Sequence, residues 1–195
     1  LVTRIAELAE QERSERVLLF PTLWLGCSQH HRAMAGTLTA SMGTYQSVLC
    51  EVVECALQDG FYKFFVLNGH GGNTEPNGVA LRELKARHPN GVFAHAGYFH
   101  LIPEEAQARI LEGPFKKIKH GCEAETSLML HFYPELVRRE NLRDDHLKMV
   151  PEAPAGLSYI QHFDEITEGG SLGYATLASE AKGQELARLA VEGVV

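Results

Sequence analysis

Apolar residues at Leu1, Ile5, Leu8 and Ala9 recur at helical spacing and predict a helix over Leu1 to Glu12. Val17-Leu-Leu-Phe20 is then an unbroken apolar run, the pattern of a short, fully buried strand. The helical stripe returns in Thr44 to Gln58, where Tyr45, Val48, Leu49, Val52, Val53 and Ala56 share one face, and Asp59-Gly60 ends it. Phe61 to Leu67 reads as a second buried strand, Val79 to Arg87 as a helix with Pro76 in its first turn, and Val92 to His95 as a third strand. Strand, helix, strand, helix, strand with short connections predicts an α/β fold, a mainly parallel sheet with helices on both faces.

Beyond His95 the pattern is less regular. Glu104 to Leu111 reads as a helix broken by Gly113-Pro114, and Glu123 to Phe132 as one that stops before Pro134. Residues 141 to 174 hold no persistent period but contain Pro151, Pro154, Gly156 and Gly169-Gly170, which predicts an excursion packed over a site or against a neighbouring subunit. Ala175 to Val191 closes the chain as a helix. With 195 residues, 45% of them hydrophobic, the chain suits one domain spanning 1–195.

Composition removes several classes of function. A formal charge of −7 leaves Lys116-Lys117-Ile118-Lys119 as the one short basic run, so no nucleic-acid groove is expected. No stretch reaches the roughly 18 apolar residues that a membrane helix needs, and no secretory signal is visible. Cys27, Cys50, Cys55 and Cys122 form no CxxC pair, which fits free thiols in a cytoplasmic protein.

Three segments carry candidate chemistry. Ligands of parallel sheets gather at the carboxyl ends of strands, and both Pro21 to Gly36 and Asn68 to Asn73 follow such ends. In Asn68-Gly-His-Gly-Gly-Asn73 the glycines permit close backbone approach while His70 offers an imidazole nitrogen; neither GxxxxGK[ST] nor GxGxxG spacing is present, so a metal or catalytic site is favoured over a phosphate cradle. His120, Glu123 and Glu125 crowd the start of a helix, where carboxylates are either first-turn helix formers or, opposite a metal, ligands with a proton-carrying histidine beside them. Gly26 to Thr37 adds Ser28, His30 and His31, with no G-x-S-x-G elbow to suggest a nucleophilic serine.

With these segments together the sequence resembles the creatininase (creatinine amidohydrolase) family. The likeness runs through Pro21-Thr22, Gly26-Cys-Ser-Gln-His30, Gly36-Thr37, Leu67 to Asn73, His120 to Ser127 and the Gly173 to Gly183 stretch. It implies a homo-oligomeric, metal-dependent hydrolase of a small amide substrate, with Zn, Mn or Fe, one or two ions per chain. By position it implies His70 and Glu125 as metal ligands, His120 and Glu125 as catalytic residues, and Ser28, His30, Asn68 and Asn73 as substrate-facing groups. Creatininase itself carries a carboxylate ligand where this chain has Gly72, and Glu125 is the expected replacement. Family members also carry a Glu-x-His pair and a Thr-Asp ahead of the first helix. This sequence begins at Leu1, about where that loop would end, so the resemblance implies a fragment lacking the N-terminal strand and loop. The competing expectation is a catalytically silent member acting as a subunit or small-ligand binder.

Overall fold

The structure is a computed structural model that describes residues 1–14, 16–145, 154 and 156–195. Helix α1 covers Val2–Glu12, and a long non-regular segment then leads to α2, Met42–Gln58, whose N-cap Ser41 accepts a hydrogen bond from the Thr44 N–H. Strand β1, Lys63–Asn68, is followed by a short turn, helix α3, Thr74–Arg87, and strand β2, Val92–Gly97. The two strands pair in parallel from Lys63 opposite Val92 to Asn68 opposite Gly97. Helices α4 (Tyr98–Leu101), α5 (Glu104–Ile110) and α6 (Glu123–Phe132) come next. A small antiparallel pair, β3 (Asp144–Asp145) with β4 (Gly173–Tyr174), brackets the short helix α7 (Phe163–Ile166), and α8 (Glu180–Val194) ends the chain.

The sheet divides two cores, as alternation along a strand requires. Phe64 and Val66 of β1, with Phe93 of β2, pack against a cluster built from α2 and α3, including Tyr45, Leu49, Val53, Leu81 and Leu84. Leu67 faces the other side, where Ile5, Tyr98, Ile102, Leu128 and Leu186 join α1, α4, α6 and α8. Each fully buried leucine among these stabilises the fold by about 1.5–3 kcal/mol. The α/β class with helices on both faces is therefore observed. No helix among the described residues is long and apolar enough to cross a membrane.

Two sequence expectations are corrected. Val17 to Phe20 forms no strand, and all four side chains are exposed. An apolar run becomes a buried strand only where a neighbouring strand supplies its backbone partners, and among the described residues none does. The closing helix does not begin at Ala175: Ala175–Leu177 is a single tight turn, and α8 starts only after Ser179, whose hydroxyl caps the Lys182 N–H. A serine that can cap competes with continuous helix at that position. Residues 146–153 and 155 of the expected excursion, Pro151 among them, lie outside the described residues.

Candidate functional site

Strand β1 ends at Asn68, and the Gly-rich turn behind it is wired from within. The Asn68 amide nitrogen donates to the His70 carbonyl at 2.7 Å, and its oxygen accepts from the His70 N–H at 3.1 Å and from the Asn73 amide at 3.4 Å. Asn73 in turn accepts the Cys27 N–H at 2.8 Å, which ties this turn to the segment before α2. Both asparagines are buried, and the polar atoms described above are spent on bracing the loop and tying it to Cys27. Asn73→Ala would leave the buried Cys27 N–H without that partner, so it is expected to destabilise the fold by about 1–3 kcal/mol. Urea unfolding with a lowered midpoint and an unchanged slope would register this.

His70 is held by its Nε2 atom, 3.1 Å from the Cys27 carbonyl and 3.2 Å from the Ser28 hydroxyl. A carbonyl only accepts, so Nε2 carries the hydrogen and the other ring nitrogen keeps its lone pair. Metal-binding histidines are oriented in this way. The Ser28 N–H donates to Thr39 and the Gln29 side chain to the Ala40 carbonyl, at 2.7 and 2.6 Å, fixing the Cys27 to Gln29 segment against the start of α2. One turn of 3-10 helix, Gln29–His31, then delivers two more imidazoles. His30 stacks on His70 with centroids 5.3 Å apart and 8° between the planes, and His31 lies 4.2 Å from His30.

The fourth imidazole arrives from the start of α6. The His120 ring centroid is 4.2 Å from that of His31, and both residues line one cavity. Its backbone is set by Glu125, which accepts the Gly121 N–H at 2.6 Å and the Tyr98 hydroxyl at 3.1 Å. Gly121 adopts φ 59°, a conformation that suits glycine. Burial raises the Glu125 carboxyl above its usual range, against the opposing pull of those two hydrogen bonds. Glu123, by contrast, is buried in a structural network with the Glu112 and Gly113 N–H groups and Lys182.

Crowding keeps the imidazoles neutral. Desolvation, followed by repulsion from neighbouring histidines, brings His31 down to about 3 and His120 to about 4; desolvation also lowers His30 and His70. Neutral rings are what metal ligation requires. Candidate ligand atoms of His30, His31 and His70 all lie within 4.8 Å of one another. A tetrahedral zinc holds its nitrogens about 3.4 Å apart, so small ring rotations would close the set and the donors fit a divalent ion. A cavity of about 520 Å³ opens over them, lined by Ser28, Met34, Leu38, His120 and Gly170 among others.

Of the described residues in the 141 to 174 excursion, Phe163 and Gly169 to Ser171 pack at this site, as the first of the two arrangements expected from the sequence has it. Phe163 covers His31 and His120 at 4.0 and 5.0 Å between centroids. Asp145 accepts the Glu168 and Gly169 N–H groups and so holds the Gly169 to Ser171 wall of the cavity. Of the residues expected from the sequence, Ser28, His30, His70 and His120 thus converge. Asn68 and Asn73 stand behind the loop, and Glu125 beneath His120. Sequence reasoning noted His31 without assigning it a role and passed over Phe163 and Tyr98; the adjacent His30-His31 pair was the available signal for the first.

The family profile described as Creatininase, creatinine amidohydrolase, matches residues 1–195. A 3-dehydro-scyllo-inosose hydrolase from Thermotoga maritima is 27% identical over 142 residues, 72% of this chain and 45% of its own. A mycofactocin precursor peptide peptidase from Mycobacterium ulcerans is 30% identical over 125 residues, 64% of this chain and 43% of its own. A crystal structure of creatinine amidohydrolase (creatininase) superposes on 100% of this chain and 78% of its own, with a TM-score of 0.81 and 25% identity. This chain spans less than half the length of the two curated relatives.

Proposed function

The chain belongs to the creatininase family, and on that premise we propose that it is a metal-dependent hydrolase cutting a C–N bond in a small cyclic or linear amide. The observation that carries this reading is the convergence of four imidazoles: His31, His70 and His120 line one cavity, and His30 packs against the first two. One curated relative is named a hydrolase and the other a peptide peptidase, which supports hydrolysis as the reaction type. A divalent ion (Zn, Mn or Fe, one or two per chain) would be held at the His70 cluster, where it would supply an acidified water and a Lewis acid.

The chain's own residues do the rest. His70 is held to one tautomer by the Cys27 carbonyl and anchors the centre. His120 faces the cavity as a neutral base, takes a proton from the attacking water and hands that proton to the departing nitrogen. Glu125 acts on it as a positioning residue, through the Gly121 N–H, rather than as a ligand. Ser28 faces the substrate, and Asn68 and Asn73 serve it through the loop they brace. Phe163 keeps water off the His31 and His120 faces. The same reading includes a homo-oligomer, consistent with exposed apolar side chains such as Trp24 at 76%.

His120→Ala tests the assignment. Turnover is expected to fall about 10²–10⁴-fold, the usual contribution of a positioned acid–base group, while metal content stays unchanged. Steady-state rates beside elemental analysis read both, and undiminished turnover would remove the role.

A further inference from the structure

We propose that Asp145 is a positioning residue of this site: its carboxylate latches the strap from Phe163 to Leu172, and the strap sets both the place of His120 and the aromatic cover over His31. The inference rests on the hydrolase reading for what His120 does, and deepens it by naming a residue behind the cavity wall that holds His120 in place.

The first observation is how the latch is built. Asp145 is only 7% exposed, and a carboxylate so far from water is costly unless hydrogen bonds offset its burial. Its two oxygens accept successive backbone N–H groups, Oδ1 from Glu168 and Oδ2 from Gly169. An asparagine there would turn an amide hydrogen toward one of them. Asp145 is itself held fast, because the β3–β4 pair sets it opposite Gly173, where a Cβ would lie 2.7 Å from the Cys122 Cβ, just ahead of α6. Asp144 adds a second tie, accepting the Thr176 N–H at 3.0 Å and its hydroxyl at 2.8 Å.

The second observation is what the latched strap touches. Fully buried Thr167 donates to the Phe163 carbonyl at 2.7 Å and accepts the Gly170 N–H at 3.1 Å, which joins the strap into one unit. That unit meets the site at three points. Phe163 lies over His31 and His120 and belongs to neither hydrophobic core, so its ring serves the imidazoles. Gly170, at φ 87°, sits where a Cβ would be 2.9 Å from the Met34 sulfur across the cavity wall. The Leu172 N–H donates to the His120 carbonyl at 2.6 Å, while the next amide along, that of Gly121, donates to Glu125. The His120 backbone is thus gripped from the strap on one side and from α6 on the other.

The test is NMR of protein labelled in its histidine rings, with amide hydrogen exchange measured on the same samples. A phenyl ring 4.0 Å from His31 and 5.0 Å from His120 displaces their ring-proton signals, and Phe163→Leu identifies that displacement by removing it. Asp145→Ala is expected to move the His31 and His120 signals in the direction that Phe163→Leu does, while exposed His100 keeps its position. Exchange across Phe163 to Leu172 should quicken by about tenfold or more, the effect of losing a hydrogen bond to a charged group on local opening. Exchange in α8 should not change. A merely structural role would instead quicken α8 as well and leave the ring signals of the folded protein in place. Asp145→Asn, which keeps one acceptor oxygen, should fall between parent and alanine variant. Thr167→Val takes the place of Asp145→Ala if that protein does not fold, and should shift the same signals. Unmoved His31 and His120 signals in the folded variant would overturn the inference. Neither measurement needs turnover, so that result would leave the hydrolase reading to stand or fall on His120→Ala.

Discussion

His70→Ala is expected to strip the protein of metal and reduce hydrolysis at least about 10³-fold, some 4 kcal/mol of transition-state stabilisation. Its ring sits at the junction of every polar element of the site. It lies against the Cys27 carbonyl and the Ser28 hydroxyl and stacks on His30, and its backbone is clamped at both N–H and carbonyl by Asn68. Loss of a mere outer-shell partner costs metal sites about 10–100-fold in affinity, so loss of a ligand should leave nothing bound after dialysis. The fold should survive, because His70 is only partly buried and belongs to neither hydrophobic core. Elemental analysis and a melting curve, each compared with the metal-free parent protein, separate these effects. Stoichiometric metal in a folded His70→Ala protein would sink the assignment of this loop.

Local pattern carried the reading furthest where one face of an element is buried by its own neighbours. Glu123 to Phe132 was legible end to end, because carboxylates crowd its first turn and Pro134 follows its end. β1, α3 and β2 were legible as an alternating unit, and that alternation set the rim on which His70 stands. Val17 to Phe20 misled because hydrophobicity reports an appetite for burial and says nothing of where a ladder partner lies. The site divides similarly. His70 announced itself through its glycines, while His31 owes its place to the Gln29–His31 turn and Phe163 to contacts across more than 130 residues of sequence, which no spacing rule encodes.

Gly183→Val is expected to destabilise the protein by about 3 kcal/mol or more, at the upper end for overpacking, because no rotamer relieves the clash. A Cβ at 183 would lie 1.9 Å from the Ser127 carbonyl oxygen and 2.5 Å from its carbon, so α6 and α8 would have to separate. That separation strains the bonds that lock the pair: the Ser179 N–H to the Ser127 hydroxyl, and the Lys182 ammonium to the buried Glu123 carboxylate at 2.6 Å. It also opens the tightly packed seam around Leu128, Leu186 and Ala190, all fully buried. Against the roughly 5–15 kcal/mol that holds a typical domain folded, such a loss is large. Gly43→Ala is the matched control: it lies in the first turn of α2 with open space around its added Cβ, and it should be neutral or gain up to about 1 kcal/mol from helix propensity. Denaturant midpoints of the two variants measure the contrast. Because α6 positions His120 and Glu125 at its start, residual folded Gly183→Val protein should also turn over more slowly. Equal stability of the two variants would mean that α6 and α8 do not pack through Gly183.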